Sequence, residues 1–196
     1  MEISISNKIY RVIRGFLNFG VINGFKYAFA LLLRKNIQLK VRGIKKSVLV
    51  RGGDSDVVVV HDVLVKREYA SPPAESVELI LDLGANVGYY CCIALQVGKP
   101  VIAFEPVDLN VRHLLANVRL NGWEDRFELL PICLGNQVGG VPLYGGGTGA
   151  SLLRGWANSL DSHVNLAPIN TANNLLATRL SGSRQLFMVD IEGAEA

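Results

Sequence analysis

The sequence predicts an α/β fold whose core is a mostly parallel, doubly wound sheet. Three short apolar segments predict strands at residues 79–83, 101–104 and 186–190, and each has an acidic residue near its carboxyl end: Asp82 lies one residue before the end of the first, Glu105 directly follows the second and Asp190 ends the third. Segments with helical spacing follow the first and the second of these strands. Strands that alternate with helices form crossover connections, and these connections produce a parallel sheet with helices on its faces.

Two helices and a further strand complete the first half of this pattern. The first helix is expected over residues 88–97, and it should end at residues 98–100, because Gly suits a left-handed cap and Pro cannot continue a helix. The second helix is expected over residues 108–120, with Asp108 as its N-cap and Asn121-Gly122 closing it. A third strand is expected over residues 127–133.

The carboxyl-terminal part shows weaker signals. Leu143 and Tyr144 indicate a short strand or hairpin arm, and residues 145–149 are almost all glycine, which is typical of a mobile, substrate-facing loop. A short helix is expected near Leu175, ahead of the last strand.

Two segments precede the sheet. Residues 1–36 show helical spacing of apolar residues, but Gly20 and polar residues interrupt the run, so it is a poor candidate for a spanning helix. We expect this helix to pack on the domain; the alternative is that it lies on an anionic membrane surface. Residues 37–77 are expected to form a small β-rich lead-in, with strands at 38–42 and 47–51 and a β-branched run at 57–60. The main domain is then residues 78–196.

Composition excludes several classes of protein. A chain of 196 residues with 49% hydrophobic and 19% charged residues has enough apolar material for one folded domain. The net charge of +3 argues against nucleic-acid binding. Three cysteines without C-x-x-C spacing indicate neither a disulfide framework nor zinc, and no His/Asp/Glu cluster has the spacing of metal ligands. No secretory signal is recognisable, so we expect a cytoplasmic location, with peripheral membrane contact through the N-terminal helix as an alternative.

The turn after the first strand of the sheet predicts a ligand site. Residues 82–88 place an acid first and then residues that tolerate positive φ, namely Gly84, Asn86 and Gly88. The G-x-G-x-x-G spacing of nicotinamide sites is not met, and the G-K-[S/T] of a P-loop is missing. Glu105 ends the next strand, where a carboxylate can accept hydrogen bonds from ribose hydroxyls. We therefore expect an adenosine-containing cofactor.

These motifs resemble S-adenosylmethionine-dependent methyltransferases of the Rossmann-like class, and more specifically the FkbM family. The resemblance covers roughly residues 37–196 and is carried by residues 51–56, 68–69, 82–90, 103–106, 110–121 and 189–195. It implies O-methylation of a hydroxyl on a sugar, glycan or polyketide-like metabolite. It also implies contacts to the methionine part from the turn, to the ribose from Glu105 and to the adenine from the residues near Cys133. The implied cofactor-binding residues are Asp82, Gly84, Ala85, Asn86, Gly88, Tyr89, Glu105, Pro106, Cys133 and Leu134.

Two acids are candidates for the chemistry. Asp190 and Glu192 lie at the carboxyl end of the last strand, on the edge expected to hold the cofactor, so either could act as a general base or bind the substrate hydroxyl. The competing interpretation is that Asp190 caps a helix that begins at Glu192. We expect His113 to be a solvated surface residue, and His163 is a second, weaker candidate base.

The sequence also departs from the family pattern. Thr171-Ala172-Asn173 stands where the family usually has Thr-Leu-Asp, and Met188-Val189 stands where a basic residue is common. The sequence ends shortly after the last predicted strand, so we expect a sheet that is incomplete on its carboxyl-terminal side. An alternative function is therefore a truncated, inactive cofactor-binding remnant or a partner subunit. A nicotinamide oxidoreductase is a third, less favoured interpretation.

Overall fold

The computed structural model describes the chain in eleven stretches separated by gaps. They are residues 5–33, 35–41, 44, 47–52, 56–66, 68–69, 72, 75–145, 149–152, 164–177 and 184–191. The helices are α1 (Ile5–Leu33), α2 (Asp56–His61), α3 (Tyr89–Gln96), α4 (Asp108–Asn121) and α5 (Ala172–Leu176), with a π-helical turn at Asp62–Lys66 and a 3-10 turn at Glu124–Arg126. The strands are β1 (Ile37–Leu39), β2 (Val48–Val50), β3 (Leu79–Leu83), β4 (Val101–Phe104), β5 (Phe127–Leu130), β6 (Cys133–Leu134), β7 (Gly139–Tyr144), β8 (Val164–Asn170) and β9 (Gln185–Val189).

The central sheet has the order β5-β4-β3-β9, and all of its neighbouring strands are parallel. Successive side chains of β3 point to opposite faces of the sheet. Ile80 packs in the cluster that contains α3, whereas Leu81 and Leu83 pack with Leu176 of α5 on the other face. Both faces are therefore covered, and the predicted Rossmann-like, doubly wound α/β fold is confirmed.

The predicted third strand is wrong at its carboxyl end. Strand β5 stops at Leu130, and Cys133–Leu134 belongs to a second sheet of order β6-β8-β7. Pro131 stands at the break, where it has no N–H to donate to a ladder, and the Ile132 N–H bonds to the Leu130 carbonyl at 2.9 Å. The chain therefore turns out of the first sheet at Pro131 and enters the second.

The second sheet contains strand β8 (Val164–Asn170), which the sequence pattern did not predict. The expected arm at Leu143 and Tyr144 is the end of β7, which pairs antiparallel with β8 along six residues. Of the glycine-rich loop only residues 145 and 149 are described, so the predicted mobility of that loop lies outside the described residues.

The lead-in is partly as predicted. Strands β1 and β2 form the expected antiparallel pair, with Ile37 opposite Val50. The β-branched run at 57–60 is not a strand but lies in α2, so that prediction is wrong. Burial explains the difference, because Asp56, Val60 and His61 on this helix are enclosed by the domain and tertiary packing overrides β-propensity.

The predicted helices of the main domain are confirmed with small shifts at their ends. Helix α4 begins at Asp108 with Val107 as its N-cap, one residue earlier than expected. Gly122 closes it in the left-handed conformation, with φ of 67°. Leu114 and Val118 of α4 are buried, as the spacing predicts.

The N-terminal helix α1 folds back on itself at Gly20, whose φ of 76° and ψ of 174° are not helical. The rings of Phe16 and Phe25 are 4.9 Å apart, although nine residues span about 13 Å along a straight helix. On the inner side of this hairpin, Phe19 and Tyr27 are buried in the main core. The favoured interpretation, that the helix packs on the domain, is therefore confirmed for this side. Among the described helices, none is long and apolar enough to cross a membrane.

The turn after β3 lies against the end of β9. Gly84 has a φ of 86°, and a Cβ atom built on it would lie 1.9 Å from the carbonyl oxygen of Asp190. The Asp190 N–H in turn donates to the Leu83 carbonyl at 3.0 Å. Residue 84 must therefore be glycine for two reasons, its backbone conformation and the space available.

We expect Gly84→Ala to lower the free energy of unfolding by about 2–5 kcal/mol, through left-handed strain plus overpacking. Gly98→Ala is a matched control, because Gly98 has a φ of 85° but a Cβ atom added there would meet only the end of Arg126, at 3.7 Å. That control should lose only about 1–2 kcal/mol. Urea unfolding of both variants measures the difference, and equal losses would contradict the close approach of Asp190.

Candidate functional site

A cavity opens at the carboxyl ends of β3, β4 and β9. It encloses about 660 Å³ of empty space, part of which is open to solvent. Seven of the predicted site residues line it, drawn from both sheets and from the turn after β3. They are Gly84, Asn86, Glu105, Pro106, Cys133, Leu134 and Asp190.

The backbone of the turn is held from within the protein. The N–H groups of Gly84 and Ala85 both donate to the Phe104 carbonyl, at 3.0 and 2.9 Å, and the Gly88 N–H donates to the Ala85 carbonyl at 2.8 Å. The Asn86 N–H donates to Glu105 Oε2 at 2.8 Å. These four amides are therefore committed to the fold and are not presented to a pyrophosphate.

Asn86 has the conformation that the sequence predicts for it. It has a φ of 51° and is the one non-glycine residue with positive φ in the described part of the chain. Its side-chain Oδ1 is buried and has no hydrogen-bond partner among the described residues. Buried polar atoms are nearly always hydrogen-bonded, so this acceptor lacks the donor that its burial calls for.

Glu105 is buried and receives three hydrogen bonds. Besides Asn86, its carboxylate accepts from the Val107 N–H at 2.9 Å and from Asn110 Nδ2 at 3.3 Å. Burial raises the pKa of Glu105 above its usual value, and these hydrogen bonds oppose that rise. A carboxylate has about four acceptor positions, so Glu105 retains capacity for about one more donor. The sequence predicts that Glu105 accepts hydrogen bonds from ribose hydroxyls. Because three internal donors already bind its carboxylate, it can accept from about one such hydroxyl.

A buried network connects Glu105 to the lead-in. Arg51 donates from Nε and Nη2 to the two carboxylate oxygens of Asp56, each at 2.7 Å, and from Nη2 to Asn110 Oδ1 at 3.0 Å. Asn110 then donates to Glu105. In the sequence, Arg51 and Asp56 belong to the lead-in that resembles the family, and no local pattern indicates that they support the site.

The prediction for His113 is wrong. Its Nε2 lies 2.8 Å from the Leu49 carbonyl oxygen and 3.8 Å from Asp56 Oδ2, and its side chain is mostly buried. It joins α4 to the lead-in instead of facing solvent. The second candidate base, His163, lies outside the described residues.

Asp82 does not line the cavity, contrary to expectation. It is buried under α3, where the Cys91 thiol donates to its Oδ2 at 2.9 Å. Burial raises the pKa of Asp82 to about 7; the Cys91 hydrogen bond opposes this rise, and the nearby charges of Asp190 and Glu105 add to it. Burial likewise raises the pKa of Cys91 well above its usual value, so the thiol keeps the proton that it donates.

Three further predicted residues also lie outside the cavity lining. A Cβ on Gly88 would come within 2.7 Å of Leu114 Cγ, so this glycine permits close packing of α4. Tyr89 is buried, and its hydroxyl donates to the Leu49 carbonyl at 3.0 Å. Ala85 is buried and contributes through its backbone. These residues support the turn from behind and do not border the cavity.

Asp190 lines the cavity with a partner that the sequence did not suggest. The Tyr69 hydroxyl donates to Asp190 Oδ2 at 2.5 Å, and the Tyr69 ring packs edge-on against Tyr90. Burial, followed by the bond to Asp190, raises the pKa of Tyr69, so its hydroxyl stays protonated and remains a donor. Glu192, the other candidate acid, lies outside the described residues, as does the helix that Asp190 would cap.

The acids and thiols of the described chain do not form a metal site. Within the stretches that the structure describes, no three His, Cys, Asp or Glu side chains come together as metal ligands do. Cys91, Cys92 and Cys133 are buried free thiols.

Comparison with known proteins gives only partial similarities. No protein-family model matches the chain, and no curated protein matches it. A protein from Pyrococcus horikoshii that is described as a transferase is 23% identical over 51% of this chain and 37% of its own, with a TM-score of 0.40. A SAM-dependent methyltransferase from Agrobacterium tumefaciens is 17% identical over 49% of this chain and 32% of its own, with a TM-score of 0.37. The chain thus spans about a third of the length of these structures, and such low similarities carry no argument about function.

The buried acid Asp82 predicts a pH dependence of stability. Because its pKa is about 7 in the folded protein and 3.8 is its usual value, the folded state holds a proton that the unfolded state releases. Stability should therefore fall as pH rises through the window between these values, by up to about 4 kcal/mol. Asp82→Asn removes this titration but keeps an acceptor for Cys91.

Urea unfolding of the wild type and of Asp82→Asn, at about pH 4.5 and about pH 7.5, checks this sign. The variant should gain on the wild type as pH rises. A difference between the two proteins that is constant with pH would show that Asp82 is ionised in the folded protein.

Proposed function

We propose that this chain binds S-adenosylmethionine and transfers its methyl group to a hydroxyl of a small metabolite or glycan. The observation that carries the proposal is the pairing of the Asn86 turn with the buried carboxylate of Glu105 at one cavity. The cavity lies beyond the carboxyl ends of parallel strands, where open α/β sheets bind their ligands.

The chemistry of the lining fits such a cofactor. Glu105 retains acceptor capacity for a ribose hydroxyl, and Asn86 Oδ1 is a buried acceptor without a partner among the described residues. Apolar side chains of Phe104, Ile132 and Leu134 line the same space and suit an adenine ring.

The internal hydrogen bonds of the turn favour this cofactor over a dinucleotide. Dinucleotide sites hold the pyrophosphate with backbone amides at the start of the first helix. In this chain the turn ahead of α3 cannot contribute such amides, because those of Gly84, Ala85, Asn86 and Gly88 already donate within the protein. S-adenosylmethionine has no phosphate, so its binding does not require these amides as donors.

Transfer to a hydroxyl requires removal of a proton, and Asp190 is the candidate base. S-adenosylmethionine, when bound, supplies an electrophilic methyl group. The role of the chain is to hold the acceptor in line and to accept its proton. Tyr69 fixes the Asp190 carboxylate through one oxygen, Oδ2, at the edge of the cavity. Glu192 stays the alternative candidate.

The identity of the acceptor rests on the sequence resemblance. The FkbM-like motifs favour O-methylation of a sugar, glycan or polyketide-like metabolite. The cavity is compatible with this class of acceptor. The competing proposal is a chain that binds the cofactor but has no transferase activity, and a transfer assay distinguishes the two.

Calorimetry with S-adenosylmethionine and with NAD tests the cofactor. We expect binding of S-adenosylmethionine and none of NAD; the reverse result would refute the proposal. Asn86→Gly should weaken the binding by roughly two- to tenfold, the effect of losing one hydrogen bond. Glycine accepts the same φ, so the fold should lose no more than about 1 kcal/mol.

Asn165→Gly is the control for this variant, because Asn165 is exposed on β8 and does not line the cavity. It should bind S-adenosylmethionine as the wild type does. Asn86→Gly is also a cleaner test than Glu105→Ala, since Glu105 additionally holds the backbone of Asn86 and Val107.

A transfer assay tests the proposed role of Asp190. With methyl-labelled S-adenosylmethionine and a panel of sugars and hydroxylated polyketides, Asp190→Asn should lower turnover by about 10²–10⁴-fold, the usual contribution of a general base. Its affinity for the cofactor should be unchanged. Asp108→Asn is the control, because this exposed carboxylate lies on α4 and does not line the cavity. Cofactor binding with no transfer to any acceptor would favour the inactive alternative.

A further inference from the structure

The outer surface of α1 is more apolar than the surface of the rest of the described chain. Of the sixteen large hydrophobic side chains that the described structure exposes, ten belong to this one element. They recur at helical spacing on both sides of Gly20, at Ile9, Tyr10, Ile13, Leu17, Val21, Ile22, Phe25, Phe29, Leu32 and Leu33. Concentrated exposed apolar surface of this kind marks an interaction site.

The fold-back at Gly20 gives this surface a defined shape. The two limbs of the hairpin, residues 5–19 and 21–33, approach so closely that a Cβ on Gly24 would lie 2.8 Å from the Cα of Phe16. Asn23 Nδ2 donates to the Phe19 carbonyl at 3.3 Å and so satisfies a group beside the break. The bend is therefore supported from within the hairpin and does not depend on contacts at its tip.

The tip of the hairpin carries the most exposed apolar side chains. Leu17, Val21, Ile22 and Phe25 are between 64% and 75% exposed, whereas Phe19 and Tyr27 of the same hairpin are buried in the core. One side of the hairpin thus anchors it to the domain, and the tip projects a group of branched and aromatic side chains outward. Because Phe19 and Tyr27 face the core, they do not cover the apolar side chains at the tip.

The charge of the segment indicates which partner fits. Residues 3–50 contain ten Lys and Arg residues and no Asp or Glu, which leaves ten basic and seventeen acidic residues for the rest of the chain. A basic segment with an exposed apolar face is the combination that binds anionic lipid surfaces. A second copy of this chain would bring two strongly basic segments together, and like charges oppose that contact.

We propose that the α1 hairpin binds the surface of an anionic lipid bilayer and inserts its Gly20 tip among the acyl chains. The hairpin lies in the interface and does not cross the membrane. Basic residues of the N-terminal segment contribute attraction to anionic headgroups, and the tip contributes apolar burial. Binding in this way is independent of the cofactor and would hold the cavity near membrane-associated acceptors.

Sedimentation of the full chain with vesicles, without cofactor, tests the proposal. Vesicles of phosphatidylcholine with about 30% phosphatidylserine should bind the protein, and added salt should weaken the binding. The double variant Leu17→Glu/Ile22→Glu should bind about tenfold or more weakly, because it places two charges at the inserted tip. Circular dichroism should show that it folds, since both residues are exposed.

Leu166→Glu is the matched control. Leu166 is 80% exposed on β8, so this variant adds the same charge to an apolar surface residue elsewhere, and it should bind vesicles as the wild type does. The proposal is overturned if the wild type ignores anionic vesicles at low salt, if the double variant binds unchanged, or if Leu166→Glu loses binding equally. It is also overturned if the wild type forms a dimer in solution that the double variant abolishes. None of these outcomes bears on cofactor binding, which calorimetry measures separately.

Discussion

The site depends on one carboxylate. Glu105, at the end of β4, accepts hydrogen bonds from the backbone of Asn86 in the first turn, from the backbone of Val107 ahead of α4, and from the side chain of Asn110. Through Asn110 it is joined to Arg51 and Asp56 of the lead-in. A single buried acid thus sets the positions of two strand ends, one helix and the segment that precedes the sheet. Its desolvation is partly offset by these donors and by the nearby Arg51 guanidinium.

Three acids, Asp82, Glu105 and Asp190, converge at this edge of the sheet, and the fold separates their roles by environment. Asp82 is enclosed beneath α3 with a thiol as donor, and burial raises its pKa to about 7, so its protonated form is favoured below that pH. Glu105 is buried but well supplied with donors. Asp190 is exposed and is held by the Tyr69 hydroxyl. Three carboxyl groups with the same chemistry therefore serve as a buried core group that titrates near neutral pH, a structural acceptor and a solvent-facing group.

The sequence predicted those parts of the fold and of the site that depend on local patterns. Apolar runs located the strands of the central sheet, and the small residues of the turn predicted the left-handed conformations of Gly84 and Asn86. The remainder depends on long-range packing. Arg51 meets Asn110 across 59 residues and Tyr69 meets Asp190 across 121, and no local pattern indicates either pair. The β-branched run at residues 57–60 predicted a strand but lies in α2. Burial of this segment overrides its intrinsic preference for strands, and a single sequence does not reveal that burial.

The placement of β9 has a consequence for how the protein folds. This strand pairs with β3 although Gln185 and Leu79 are 106 positions apart, and its end supplies the Asp190 carbonyl that fills the space beside Gly84. Such distant pairings are slow to form because loop closure must come first. The space beside Gly84 is therefore closed only when the last described strand docks. A cofactor bound against both the turn and the end of β9 would stabilise the finished domain by mass action.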